Sequence, residues 1–239
     1  MSFYYARRTV EIIREEGFIK LSIETKRFLL YFPWKVYDTL RNGIKYDTVC
    51  EVKTYQLPVS ELEYSIDGTG EIKESEGVDY VSAVLDGDWY KRKENIYAGI
   101  KYRSLHKRYC EDASWQETPY YDYISDDFES SRLHRKYPNA ASPIEALEIY
   151  DDIYEDMRRN GFREESNLRG CIGPNGTYII SDGRHRLALA KILGIDTVPV
   201  EVYLRHKQWQ ELRDDVHNNG LCKSDEHLRD HPDLQDVLD

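Results

Sequence analysis

The chain has 239 residues, enough for one sizeable core plus a smaller helical appendage, since single cores stop growing near ~250 to 300 residues. Its net charge of −11 works against general affinity for nucleic acid, which depends on phosphate neutralisation by Lys and Arg. Cys50, Cys110, Cys171 and Cys222 are far apart, form no C-x-x-C pair and have no His at finger spacing, so neither a zinc site nor a redox pair is signalled.

Residues 4 to 16 and 22 to 32 carry helical patterns, stopped by Gly17 and Pro33. Glu11, Glu15 and Glu16 interrupt any secretory apolar core, and no run of 18 apolar residues appears, so a cytoplasmic protein is expected. Residues 1 to 50 hold nine Lys and Arg against six acids, a local +3. The basic and aromatic stretch KRFLLYFPWKVYDTLR suits peripheral contact with an anionic membrane or a protein partner, and equally a helical hairpin packed on the main domain. Charge asymmetry does not choose between them.

Residues 52 to 64 predict a strand running into Pro58 and a short helical turn, followed by a polar loop over 66 to 77 and a second strand over 78 to 85. Helices are expected over 103 to 113 and 119 to 135, with Trp115 between them as a core-edge anchor. Arg132, His134, Arg135 and Lys136 suit a second anion patch, although cations are ordinary near a helix C-terminus. Residues 143 to 159 read as the clearest helix. Ser142 caps it, Pro143 suits the first position, Glu145 completes a capping box, and Leu147, Tyr150, Ile153, Tyr154 and Met157 form one stripe. Two apolar runs around Pro174-Asn175-Gly176 predict a hairpin, a helix over 185 to 193 ends at Gly194, and a strand comes next over 198 to 203. The tail carries a helix over 207 to 217 and a short acidic one near 225 to 238.

The stretch SDGRHRLALAKILGIDTVPVEV places an Asp-Gly turn and three basic side chains at a helix start. A helix start offers backbone N–H groups and a partial positive end, and Gly183 lets the backbone approach a ligand. Three basic groups there oppose the macrodipole by roughly 0.3 to 1 kcal/mol each, a cost that an anion such as phosphate offsets. The alternative has Asp182 capping the helix while Arg184, His185 and Arg186 reach neighbouring acids.

The order strand, Asp-Gly-x-His-Arg, short Ala/Leu helix, Gly, TVPVEV resembles the nucleotide-binding core of the ParB/sulfiredoxin-like superfamily. TYQLPVSELE, residues 54 to 63, looks like that domain's opening strand. The match covers residues 168 to 204 well, and residues 1 to 50 and much of 86 to 140 fall outside it. The resemblance implies an α/β (α+β) small mixed-sheet domain over 51–205 with a helical insertion, a helical extension over 1–50 and an acidic helical tail over 206–239. It implies nucleotide binding, of ATP, ADP or CTP with Mg2+, by Asp182, Gly183, Arg184, His185 and Arg186.

Arg184 stands where free-serine kinases of the superfamily usually have His and where sulfiredoxins have their catalytic Cys. Without that thiol a sulfiredoxin reaction is excluded. Only 35 residues follow Leu204, and they are acidic, so the DNA-binding half of a partition protein is missing from the pattern and sequence-specific nucleic-acid binding is not expected. The functions implied are a nucleotide-dependent phosphotransferase (kinase) or NTPase acting on a small hydroxylated acceptor, or a nucleotide-switched binding module that hydrolyses slowly or not at all. Last comes a ParB-like nuclease or DNA-associated protein, for which no metal-carboxylate cluster is recognisable. The kinases use a Glu early in the domain as base, which points to the region of Glu61, Glu63 and Glu71, with Glu63 the chosen candidate.

Overall fold

The computed structural model describes residues 44–48, 52–66, 83–163 and 167–238. The two expected N-terminal helices, residues 67 to 77 of the loop expected over 66 to 77 and the first residues of the strand over 78 to 85 lie outside them. Seven strands form one mixed sheet: β1 (Lys53–Pro58), β2 (Tyr64–Ile66), β3 (Ala83–Leu85), β4 (Lys93–Asn95), β5 (Leu168–Ile172), β6 (Tyr178–Asp182) and β7 (Thr197–His206). Among the described residues six helices accompany them: α1 (Ile100–Cys110), α2 (Pro119–Ser125), α3 (Arg132–Lys136), α4 (Pro143–Asn160), α5 (Arg184–Ile192) and α6 (Lys207–Asn219). The α+β class expected from the sequence is therefore the one observed.

The sheet order is β1-β7-β5-β6-β2-β4, with β3 also paired to β7. β7 is the longest strand and the organiser: it runs antiparallel to β1 and parallel to β3 and β5. Alternation along β6 divides the core. Tyr178 and Ile180 join the large cluster with Val198, Val200 and Leu187, while Ile179 turns to a smaller one with Ile66, Trp89 and Cys171. α5 is buried on the large-cluster side through Leu187, Ala188, Leu189 and Ala190, so its first turn is held where β6 ends.

Two ladder irregularities interrupt the sheet beside β5. Gly170 faces Val202 but Cys171 faces Leu204, which leaves Tyr203 extra in β7. Arg169 faces Asp182 but Gly170 faces Ile180, which makes Ser181 extra in β6, one residue before the Asp-Gly turn. Such bulges bend a strand and re-aim the next side chain. Ser181 keeps its place by donating its hydroxyl to the Arg169 carbonyl at 3.1 Å.

α4 begins as expected, with Ser142 Oγ accepting from the Glu145 N–H at 3.2 Å and Pro143 in the first turn, and it ends at Gly161, whose φ of +71° favours glycine. The single helix expected over 119 to 135 is instead two, α2 and α3. Ser131 caps α3 by accepting from the His134 N–H at 3.0 Å, a local bond that competes with helix continuity. β2 and β4 are strands that the sequence does not announce; at three residues each they show too little alternation to register.

The acidic helix expected near 225 to 238 is also corrected: the chain forms two 3-10 turns, Glu226–Leu228 and Pro232–Leu234. Pro232 has no N–H to continue a helix through that point. The second turn buries Asp233, at 0% exposure, beside Arg205 and Arg213, also at 0%. Asp233 accepts from Arg205 Nε at 3.0 Å, Trp209 Nε1 at 2.8 Å and the Tyr55 hydroxyl at 2.6 Å. Burial alone would raise its pKa, but Arg205 and Arg213 outweigh that and hold it at about 2. The described end of the N-terminal segment packs on α6, where the Thr48 N–H and hydroxyl donate to Asp214 at 2.9 and 2.6 Å. No helix of the described residues is long and apolar enough to cross a membrane.

Candidate functional site

β6 delivers Asp182 to a turn that only glycine fills comfortably. Gly183 has φ +87°, and a Cβ placed there would collide with the side chain of Leu168, which is fully buried. The Asp182 carboxylate accepts from the Gly183 N–H at 2.8 Å. Gly183 itself is the N-cap of α5 and supplies no side-chain cap. The first helical bond runs from the Leu187 N–H to the Gly183 carbonyl at 3.0 Å, so the amides of Arg184, His185 and Arg186 lie ahead of the helical ladder. The capping alternative for Asp182 is thus replaced by a tight bond to the neighbouring amide.

The turn opens onto a cavity of about 290 Å3 lined by all five residues from Asp182 to Arg186. Its opposite wall comes from the helices that precede α5 in sequence: Lys101 on α1, Tyr120 on α2, Arg132 and Lys136 on α3, and Tyr150 on α4. Five basic side chains therefore converge from three helices. Among the described residues lining the cavity, Asp182 is the one carboxylate.

His185 sits at the centre of this arrangement. Its Nε2 is in a hydrogen bond with the Tyr150 hydroxyl at 3.2 Å, and its ring stacks on Tyr150 with centroids 4.6 Å apart. Burial, followed by the charges of Lys101, Lys136, Arg184 and Arg132, pushes its pKa well below the ordinary histidine value. His185 is accordingly a neutral hydrogen-bonding group near pH 7, and the positive charge of the site belongs to Lys and Arg. Burial also lowers the Arg186 pKa, with Asp182 acting in the opposite sense, while Tyr120 is pushed up to about 12, mainly by burial. Lys101 Nζ lies 5.7 Å from the Tyr120 ring centroid, which orients that ammonium by a cation–π contact.

The sequence identifies one wall and misses the other. Arg132 and Lys136, which suit either a separate anion patch or an ordinary helix end, both stand in the cavity that Arg184 and Arg186 line. Their i, i+4 spacing, which sets them on one helix face, is the available signal. Nothing in the sequence points to Lys101. Glu63 is exposed, between the 3-10 turn Val59–Glu61 and β2, and it is not among the residues lining this cavity. Trp115 is buried, its indole N–H donating to Asp151 at 2.9 Å, in keeping with a packing role.

Among the described residues no group of three or more His, Cys, Asp or Glu side chains stands ready to hold a metal. Comparison of the chain with protein-family models, curated proteins and solved structures gives no match.

Proposed function

We propose that this is a nucleotide-binding protein of the ParB/sulfiredoxin-like type, holding ATP, ADP or CTP by its phosphates at residues 182 to 186. The observation that carries this reading is the convergence of Lys101, Arg132, Lys136, Arg184 and Arg186 on a cavity at a helix start, with one carboxylate in its lining. Bringing like charges together costs energy that a polyanion offsets. The Asp-Gly-Arg-His-Arg turn supplies the resemblance.

The reaction best served by such a cradle is phosphoryl transfer to a small hydroxylated acceptor. There the acceptor oxygen bonds to phosphorus as the bond to the departing diphosphate oxygen breaks, and the hydroxyl proton leaves to a carboxylate. In this chain Lys and Arg would neutralise the phosphates, the Gly183 turn would position them, and His185 would donate or accept one neutral hydrogen bond. Mg2+, if bound with the nucleotide, would supply further charge neutralisation beside Asp182. Asp182 and Glu63 are the carboxylate candidates for the proton, and a loss of turnover in Asp182→Asn but not in Glu63→Gln would assign it to the first. The placement of Glu63 outside the cavity lining favours a second reading, a nucleotide-switched binding module without transfer.

The test is a titration with ATP, ADP and CTP, with and without Mg2+, on wild type and on a His185→Ala, Arg186→Ala double variant. Hydrogen bonds to charged groups contribute about 1.5 to 3 kcal/mol each, so the double variant is expected to bind at least roughly tenfold more weakly. Equal affinities would remove the basis of the assignment. Turnover across a panel of small alcohols separates the kinase from the switch.

A further inference from the structure

A second cavity, of about 390 Å3, adjoins the cationic one, and Ile153 and Arg186 line both. Its walls differ in kind. Ile149, Ile153 and Met157 on α4 and Phe162 just beyond it give an apolar surface. Two carboxylates, Asp152 and Asp156, stand at its edge, the second engaged by Arg163 and Asn160. The Arg186 guanidinium carbon lies 5.9 Å from the Phe162 ring centroid, within cation–π range, so one side chain faces the aromatic wall here and the phosphate cradle there.

We propose that the two cavities are one site for a nucleoside polyphosphate, the phosphates among the cations of the first and the base in the apolar compartment beside Phe162. The inference rests on the phosphate reading above and adds to it the part of the ligand that reading leaves unplaced. A polyphosphate alone gains nothing from an apolar cavity, whereas a planar base gains both burial and stacking on a ring and a guanidinium. Ligand clefts usually measure ~300 to 1,000 Å3, so the cationic cavity alone is small for a nucleotide and the pair is adequate. Phe162 directly follows Gly161, whose positive φ ends α4.

The experiment compares ATP with inorganic tripolyphosphate by calorimetry, on wild type and on two variants confined to the apolar cavity. Phe162→Leu keeps an apolar side chain without the ring, and Ile149→Trp fills the space. Wild type is expected to bind ATP at least tenfold tighter than tripolyphosphate. Each variant should lose roughly tenfold or more in ATP affinity, the loss of one base stack, with tripolyphosphate affinity unchanged within twofold. Should wild type bind both ligands alike, or should either well-folded variant weaken both alike, the apolar compartment is not the base site and the phosphate reading stands by itself. Binding of neither ligand would overturn both readings together.

Discussion

Two regions of this molecule gather arginines, and they resolve the charge in opposite ways. At the C-terminal turn, Arg205 and Arg213 share Asp233, with Trp209 and Tyr55 completing its hydrogen bonds, and all three charged groups are fully buried. At the start of α5, five cations surround a cavity whose lining contributes one exposed carboxylate. The first is a closed set in which the chain is its own counter-ion, and it ties the tail to β7 and α6. The second lines a cavity, and among the described residues of that lining basic side chains outnumber carboxylates five to one. The difference between the two regions is one of placement: one pair of arginines wraps a carboxylate, and the other set lines a cavity.

The largest expected effect breaks the closed side. Asp233→Ala removes the carboxylate that two buried guanidinium groups share and should cost about 3 to 5 kcal/mol in urea-melt stability. A loss below about 1 kcal/mol would show that the tail cluster is no more self-contained than the cavity. Next comes the open side. Gly183→Ala forces a Cβ into Leu168 and into a left-handed conformation, at about 1 to 3 kcal/mol, and should also abolish nucleotide binding because the turn must shift. Retained affinity in a folded variant would separate the turn from the ligand.

The smallest effect sharpens the contrast through pH. The folded-state pKa of His185 lies below its unfolded value near 6.5, so its contribution to stability is fully present above that pH and is lost as pH falls. Relative to His185→Gln, wild type should lose stability by at most about 1.4 kcal/mol per pH unit below pH ~6.5. A polyphosphate in the cavity raises that pKa, so nucleotide affinity should strengthen over the same interval in wild type and stay flatter in the variant. Asp233 contributes in a different window, fully above its unfolded pKa near 3.8 and lost as pH falls toward 2. The two regions are thus separable by acid titration monitored by circular dichroism.

Local signals carried what was legible in the sequence. The Ser142 cap placed α4, although Glu145 accepts from the Ala141 N–H at 2.7 Å and so does not close the expected capping box; the Pro174-Asn175-Gly176 turn placed the β5–β6 hairpin, and Gly194 closed the region of α5, because each is decided within a few residues. The short strands β2 and β4 exist by pairing, β4 with β2 and β2 with β6, which no local pattern encodes. The site divides the same way. Its contiguous wall, residues 182 to 186, is visible as a motif, while Lys101, Arg132 and Lys136 reach it only through the packing of α1 and α3. The acidic tail misleads, since its charge suggests a solvated helix and Asp233 is instead buried by partners far away in sequence.

Ser181, the extra residue in β6, sets a phase as well as a contact. Were Ser181 instead paired opposite Arg169, the ladder would be regular, the sheet would keep its hydrogen bonds, and Asp182 would fall on the opposite face. The position therefore answers to two demands that disagree, smooth pairing and correct aim, and the fold has settled for aim. Drift in this chain should tolerate a change of identity at 181, at the loss of the hydroxyl bond to Arg169, more readily than a change in the number of residues between Ile180 and Gly183.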